Sequence, residues 1–245
     1  MLLWATWSVV SASVATAAEV RVAVAANFAG PAAQLAEAFH AASGHTVQIS
    51  AGSTGKFYAQ IRAGAPFEVL LSADEETPQK LIDEQLAVPG SAFTYAVGQL
   101  VLWSARAGVV DGDGRVLASG GFTHLALANP KLAPYGAAAI EVLKARGVLE
   151  ALTPKLVQAE SIAQAYQFVY TGNAELGFVA LSQVAAPGQA ASGSYWRVPA
   201  SLYRPIRQDA VLLQAGAASS AARDWLAYLR SAPARAIIAA YGYGQ

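Results

Sequence analysis

The chain of 245 residues predicts an α/β fold with two lobes. In its first part, segments with the period of a strand alternate with segments with the period of a helix, and this order indicates a parallel sheet with crossover helices. A second alternating series begins at Leu125. Because the pattern lacks the eight evenly spaced strand–helix units of a barrel, two lobes are favoured over one barrel.

Three strand–helix pairs are predicted in the first part of the chain. Residues 19–25 alternate in hydrophobicity, as a strand does, and the chain then turns at Asn27. Pro31 suits a first helical turn, and Leu35 and Phe39 lie four residues apart on one helix face. The later elements of this part are a strand at 47–49, a helix carrying Phe57 and Ile61, a strand at 67–73 and a helix at 78–85.

The second part of the chain continues the alternation from residue 99 onward. It ends in a strand followed by two helices, all of which carry apolar residues at the matching period. The predicted strands are 99–103, 125–128, 176–179 and 210–213, and the predicted helices are 135–146, 161–170, 222–230 and 234–241.

The composition excludes several classes of protein. With 55% hydrophobic and 13% charged residues, the chain can bury large cores and is not disordered. Its formal net charge is zero, so no electrostatic attraction to nucleic acid or to an anionic membrane surface is expected. Cysteine is absent, which excludes disulfides, zinc–thiolate sites and iron–sulfur clusters.

The N-terminus resembles a signal peptide. An apolar run rich in Leu, Trp and Val is followed by the small residues ATAA at 15–18, which is typical of a cleavage site just before Glu19. The segment departs from the usual pattern because no Lys or Arg precedes the run. We therefore predict that residues 1–18 direct the chain out of the cytoplasm, with a buried first strand or helix as the alternative.

Four strand-to-helix junctions end in small or hydroxylated residues. The first N–H groups of a helix are unpaired and lie at the positive end of its dipole, so each junction can hold an anion. Ligands of parallel sheets bind at the carboxyl ends of the strands, where these junctions lie. The junctions read AANF at 25–28, SAGSTG at 50–55, NPKLAPYG at 129–136 and ESI at 160–162.

The second junction also matches two enzyme motifs weakly. GSTGK at 52–56 is too short for a phosphate-binding loop, and Phe57 stands where Ser or Thr binds magnesium. Ser53 and Lys56 match the Ser-x-x-Lys motif of penicillin-binding enzymes, but the companion motifs are absent. The simple structural interpretation is a helix start capped by Ser53 or Thr54, and this does not exclude an anion there.

Taken together, the motifs resemble the periplasmic molybdate-binding proteins of ABC transporters over almost the whole mature length. Each motif is modest alone, and their order and spacing are specific. They are VAANF at 24–28, SAGSTG at 50–55, GAPF at 64–67 with LSAD at 71–74, NP at 129–130 with APYG at 133–136, and LGFV at 176–179.

The resemblance implies a type II periplasmic binding protein, with two doubly wound α/β lobes joined by crossover segments and the ligand in the cleft between them. Lobe 1 would comprise residues 19–97 with 208–245, and lobe 2 residues 98–207. The implied ligands of the oxyanion are Ala26, Asn27, Ser53, Thr54, Tyr135 and Ile162.

Two positions depart from the family pattern. Many members have a Ser at the first turn where this chain has Ala26 and Asn27, and the Asn27 amide can donate in its place. Many members also supply a Tyr hydroxyl where this chain has Ala180. Ala26 and Ile162 have no polar side chain and so would bind through backbone N–H, and we expect the same of Tyr135 at its helix start.

The predicted function is capture of molybdate, and of tungstate, which is nearly the same size, for delivery to a membrane permease. A fully deprotonated dianion needs only hydrogen-bond donors, so neither a catalytic group nor a cofactor is predicted, and molybdenum enters only within the oxyanion. We expect a periplasmic monomer that is not an enzyme. The alternatives are a receptor for sulfate or another tetrahedral oxyanion, and a hydrolase with Ser53 as nucleophile and Lys56 as base.

Overall fold

A computed structural model describes residues 17–188 and 193–244 as two five-stranded sheets. Residues 1–16 of the predicted signal peptide lie outside the described residues. In the first sheet the strand order is β2-β1-β3-β10-β4, with β1 parallel to both of its neighbours and β10 antiparallel to β3 and β4. These strands are β1 (Glu19–Ala25), β2 (Thr46–Gly52), β3 (Val69–Leu71), β4 (Phe93–Gly98) and β10 (Ile206–Leu212).

The second sheet repeats this mixed arrangement. Its strand order is β7-β6-β8-β5-β9, where β6 is parallel to β7 and β8, and β5 is antiparallel to β8 and β9. The strands are β5 (Leu100–Ser104), β6 (Leu125–Ala128), β7 (Leu156–Ala159), β8 (Leu176–Ala180) and β9 (Ser194–Arg197). The chain passes to this sheet at Gln99 and returns through residues 198–205, so two crossovers join the lobes.

Helices cover the faces of both sheets. A 3₁₀ helix, Ala26–Phe28, leads directly from β1 into the first α-helix, which ends where Gly44 takes the left-handed conformation with φ 77°. The α-helices are α1 (Ala29–Ser43), α2 (Thr54–Arg62), α3 (Glu76–Asp83), α4 (Val116–Ser119), α5 (Pro134–Ala145), α6 (Leu149–Leu152), α7 (Ile162–Tyr170), α8 (Leu181–Val184), α9 (Ser220–Leu229) and α10 (Ala232–Ala240).

The predicted fold class of two α/β lobes is confirmed. The predicted helices at 161–170, 222–230 and 234–241 correspond to α7, α9 and α10. The sequence did not predict β4, β7 and β9, nor that β5 and β10 run antiparallel to their neighbours. Both sheets are therefore mixed, because the strands that enter the lobes after the two crossovers, β5 and β10, pair antiparallel with both of their neighbours.

The central strands β1 and β3 of lobe 1 bury side chains on both faces because helices cover both. Successive side chains of a strand point to opposite faces. Val22 and Val24 of β1 face one core cluster and Ala23 faces another, and Val69 and Leu70 of β3 divide in the same way. Within the described residues, no helix has the length and hydrophobicity needed to cross a membrane.

The start of α5 lies against the end of β6, and Gly136 makes this approach possible. A Cβ built on Gly136 would lie 2.1 Å from the carbonyl oxygen of Ala128, which is backbone and cannot turn aside. A Cβ on Gly30, near the start of α1, would lie 3.5 Å from the ring of Tyr241, an ordinary contact.

We therefore expect Gly136→Ala to lower the free energy of unfolding by about 1–3 kcal/mol, as overpacking does. Gly30→Ala, the matched control, should leave this free energy unchanged or raise it by up to about 1 kcal/mol, because Ala favours a helix over Gly. Urea unfolding of the two variants measures both effects. Equal stability of the two variants would contradict the close approach at Gly136.

Candidate functional site

A small cavity lies between the lobes and contains every predicted ligand residue. It has a volume of about 10 Å³ and lies at the carboxyl ends of β1 and β2, as expected for a parallel sheet. The described residues that line it include none with a charged side chain. They are Ala25, Ala26, Asn27, Gly52, Ser53, Thr54, Ala73, Ala133, Pro134, Tyr135 and Ile162.

The cavity is a meeting point of helix starts. The 3₁₀ helix begins at Ala26, α2 at Thr54, α5 at Pro134 and α7 at Ile162. The first N–H groups of a helix have no acceptor within it, and at Ala25, Ser53 and Ala133 no side chain among the described residues caps them. At α7 the Ser161 side chain accepts from the N–H of Gln164. The positive ends of the helix dipoles therefore face one small volume, and three of the four starts have no side-chain cap among the described residues.

Ser53 brings an unused hydroxyl to this volume. Its side chain is 3% exposed, and its Oγ has no hydrogen-bond partner among the described residues. The prediction that Ser53 or Thr54 caps α2 is wrong, since neither makes a side-chain cap in the described structure. A buried hydroxyl left without a partner is costly, so it marks a place where a ligand atom would be stabilised.

Thr54 has a different role in the protein itself. Its Oγ1 accepts a hydrogen bond of 3.0 Å from the N–H of Ala73, which lies two residues after the end of β3. The Thr54 side chain is 2% exposed. Its hydroxyl hydrogen stays available as a donor, but the oxygen already fixes the Ala73 turn to α2.

Asn27 does not offer its amide to the cavity as predicted. Its Nδ2 donates to Gln208 Oε1 at 2.9 Å and to the Tyr243 hydroxyl at 3.0 Å, so both amide hydrogens are engaged behind the cavity. The backbone N–H is the donor that Asn27 can still provide. Sequence spacing could not show this, because Gln208 and Tyr243 are 181 and 216 residues away in the chain.

Tyr135 also turns its polar group away from the cavity. Its ring is 1% exposed, and its hydroxyl accepts a hydrogen bond of 3.2 Å from Gln208 Nε2. Burial raises the pKa of Tyr135 and Tyr95 well above the ordinary value, and raises the pKa of Tyr243 to about 12. These phenols therefore stay neutral and remain hydrogen-bond donors at neutral pH.

Ala180, where the family pattern has a Tyr, is fully buried at the end of β8 and does not line the cavity. Its N–H donates to Gln183 Oε1 at 2.9 Å. Two residues after it, the hydroxyl of Ser182 donates to the carbonyl oxygen of Asn27 at 2.9 Å, and so joins lobe 2 to the first site turn. Sequence reasoning missed Ser182, whose only signal was its position just after the strand at 176–179.

The lobes also meet at the edge of the cavity. The N–H of Gly55 donates to the carbonyl oxygen of Leu132 at 3.0 Å, and Lys56 forms an ion pair with Glu160 of lobe 2. Lys56 is thus engaged with a carboxylate, while the Ser53 hydroxyl has no base beside it among the described residues. The Ser-x-x-Lys hydrolase alternative is wrong, because this geometry gives Ser53 no group that could take its proton.

A wider groove adjoins the cavity and shares Ala73, Ala133 and Pro134 with it. Its walls carry charges of both signs, with Arg204 paired to Glu141 and Arg207 paired to Glu75. Carboxylates oppose the binding of a dianion, so the small neutral cavity is the better candidate for the oxyanion.

A partly buried carboxylate lies next to Gln208. The Oδ1 atom of Asp209 has no hydrogen-bond partner among the described residues, and burial raises the pKa of this carboxyl above its ordinary value. A raised pKa means that the ionised form is the less stable one in the folded protein. The free energy of unfolding therefore carries a contribution that is present below the unfolded pKa and is lost as the pH rises through the folded pKa.

Asp209→Asn cannot ionise and should lack this dependence. We expect the free energy of unfolding of the variant minus that of the wild type to increase as the pH rises through the raised pKa, and then to level off. Urea unfolding from about pH 3 to about pH 7 measures it. Asp83→Asn, at an exposed residue of α3, is the control for the loss of one negative charge, and a difference that decreases with pH would contradict the expectation.

The chain is similar to known proteins over almost its entire length. The family of bacterial extracellular solute-binding proteins matches residues 20–244. The chain is 58% identical to the molybdate-binding protein ModA of Azotobacter vinelandii, covering 95% of this chain and 92% of that protein. It is 55% identical to ModA of Rhodobacter capsulatus, covering 94% and 89%.

A solved structure agrees with these relatives. The periplasmic molybdate-binding protein of Azotobacter vinelandii superposes with a TM-score of 0.90 and 46% sequence identity, covering 92% of this chain and 99% of that one. The same fold and the high identity over most of both chains agree with the family match. The chain belongs to the family of bacterial extracellular solute-binding proteins.

Proposed function

We propose that this protein captures molybdate in the periplasm and delivers it to the permease of an ABC importer. The observation that carries the proposal is the small neutral cavity, where four helix starts and the unpartnered Ser53 hydroxyl converge. The relatives support it, since they are named molybdate-binding proteins and one is named periplasmic. Binding requires no catalytic step, which is consistent with relatives that are binding proteins.

The chemistry of the cavity suits a fully deprotonated dianion. Backbone N–H groups can only donate, and every oxygen of such an anion can only accept, so each contact is satisfied. Donors fixed by helix starts stabilise the charge without an adjacent cation. Protonated phosphate would bring an O–H group, and the described lining has no carboxylate to accept it, so phosphate is disfavoured.

Size then separates the remaining anions. Sulfate is smaller than molybdate and would reach fewer of the fixed donors at once, whereas tungstate is nearly the same size as molybdate. We therefore propose that tungstate binds about as well as molybdate, and that the protein acts as a monomer with lobes at 19–97 with 208–245 and at 98–207. These lobe limits and the six ligand residues stay predictions.

The first test compares molybdate, tungstate, sulfate and phosphate at equal concentration. An anion at a hundredfold excess over its dissociation constant should stabilise the fold by about 2.7 kcal/mol. We expect this stabilisation with molybdate and tungstate, measured as a shift of the thermal unfolding midpoint. Stabilisation by sulfate but not by molybdate would instead support a sulfate receptor.

The second test separates Ser53 from its neighbour. Ser53→Ala removes a hydroxyl that has no partner in the protein, so the anion-free protein should keep its stability while the dissociation constant for molybdate rises about 10- to 150-fold. The rise reflects the loss of a hydrogen bond to a charged ligand. Isothermal titration and urea unfolding measure the two quantities.

Thr54→Val is the matched control for this test. This substitution leaves the N–H of Ala73 without its acceptor. Unlike Ser53→Ala, it should therefore destabilise the anion-free protein by about 1–3 kcal/mol. An unchanged molybdate affinity in Ser53→Ala would show that the Ser53 hydroxyl does not reach the anion.

A further inference from the structure

A buried hydrogen-bond network lies behind the cavity and has the side chain of Gln208 at its centre. We propose that Gln208 is a positioning residue, which fixes the site turns of the two lobes at the separation that the anion requires. The proposal rests on the proposed capture of an oxyanion in this cavity. Gln208 itself does not line the cavity, and it acts through Asn27 and Tyr135, which do.

The side chain of Gln208 is fully buried, and both of its polar atoms are engaged. Its Oε1 accepts from Asn27 Nδ2 at 2.9 Å and from the Tyr95 hydroxyl at 3.1 Å, while its Nε2 donates to the Tyr135 hydroxyl at 3.2 Å. A rotation of the amide would exchange donor and acceptor and leave buried polar groups unpaired. The amide therefore has one stable orientation.

Two of the three partners of this amide, Asn27 and Tyr135, come from different lobes and line the cavity. Asn27 belongs to the 3₁₀ helix that follows β1 in lobe 1, and Tyr135 belongs to the first turn of α5 in lobe 2. Both offer backbone N–H groups at a helix start. A single side chain thus sets the distance between donors that come from different lobes, and a misplaced donor weakens binding because the hydrogen bond depends on distance and angle.

Two more hydroxyls hold the Asn27 turn in place. The Tyr243 hydroxyl donates to the carbonyl oxygen of Asn27 at 2.8 Å, and the Ser182 hydroxyl donates to the same oxygen at 2.9 Å. Ser182 belongs to α8 of lobe 2. The turn is therefore tied to lobe 2 both through Gln208 and through Ser182, so its position depends on the closed arrangement of the lobes.

The backbone around Gln208 is shaped for this contact. Gln208 and Asp209 of β10 pair with Ala96 and Thr94 of β4, so the register shift leaves Tyr95 of β4 as the extra residue of a bulge beside Gln208. Further along β4, a Cβ on Gly98 would lie 2.1 Å from the Tyr135 hydroxyl and 2.6 Å from Gln208 Nε2. The end of β4 thus leaves room for the Gln208–Tyr135 hydrogen bond directly beside the crossover to lobe 2.

The test begins with Gln208→Leu, which keeps the volume and removes the hydrogen bonds. We expect the dissociation constant for molybdate to rise at least about tenfold, and the preference for molybdate over sulfate to decrease, since the donors are no longer held at one spacing. Isothermal titration with sodium molybdate and sodium sulfate measures both. The wild type is titrated first, so that failure of wild-type binding identifies a failure of the proposed function rather than of this inference.

Controls separate positioning from a loss of stability. Leu226→Ala, in the core of lobe 1 away from the cavity, lowers stability without touching the network and should leave both dissociation constants unchanged. Tyr135→Phe retains the ring and removes the hydroxyl, with its contacts to Gln208 Nε2 and to Tyr243, so it provides a second variant if Gln208→Leu does not fold. Because Gln208 acts through Tyr135, the effects of the two substitutions on affinity should not add in the double variant.

Gln208→Glu provides a pH profile that a structural role alone would not produce. While protonated, the new carboxyl should preserve affinity to within about threefold, because it can replace the amide in the network. Burial raises the pKa of this carboxyl, and on ionisation at higher pH the dissociation constant should rise relative to the wild type at the same pH. Wild-type affinity and selectivity in both Gln208→Leu and Tyr135→Phe would overturn the proposal.

Discussion

The structure is organised around four helix starts that meet at one cavity, three of which have no side-chain cap among the described residues. These three starts follow Ala25, Ser53 and Ala133, and the Ser53 hydroxyl is buried without a partner among the described residues. A buried donor without an acceptor costs about 1–3 kcal/mol, so concentrating several of them in one cavity is unfavourable unless a ligand fills it. A tetrahedral dianion satisfies this requirement, since all of its oxygens accept.

The parallel and antiparallel strands of each mixed sheet have different roles at this cavity. Parallel strands deliver their helix starts to one edge, as β1 and β2 do for Ala26 and Thr54. No single sheet can surround an anion, so the remaining donors come from the second sheet across the cleft. The antiparallel strands serve the connection between the lobes, because β4 leaves lobe 1 and β10 returns to it. The same two strands carry Gly98 and Gln208, which place the crossover against the back of the site.

Local pattern was sufficient for the longer helices, for the parallel strands other than β7 and for the four junctions at the cavity, because each of these carries its own signal in consecutive residues. It failed where function depends on distant residues. Asn27 was predicted to donate its amide to the anion, yet that amide is engaged by Gln208 and Tyr243 from the far end of the chain. Ser53 or Thr54 was predicted to cap α2, yet neither side chain does, and the Ser53 hydroxyl has no partner among the described residues. The strand β4 was missed because its neighbour in the sheet, β10, follows more than a hundred residues later.

The contacts between the lobes differ in how a closing motion would affect them. At the open edge, the ion pair between Lys56 and Glu160 is exposed, and such pairs contribute about 0–1 kcal/mol. The hydrogen bond from the N–H of Gly55 to the carbonyl oxygen of Leu132 contributes a further stabilisation of about 0.5–1.5 kcal/mol. Gln208 and Tyr135 lie beside Gly98, where the chain crosses between the lobes. The contacts at the open edge are small compared with several charge-assisted hydrogen bonds, so under the proposed function an anion in the cavity would contribute more to holding the lobes together than these contacts do.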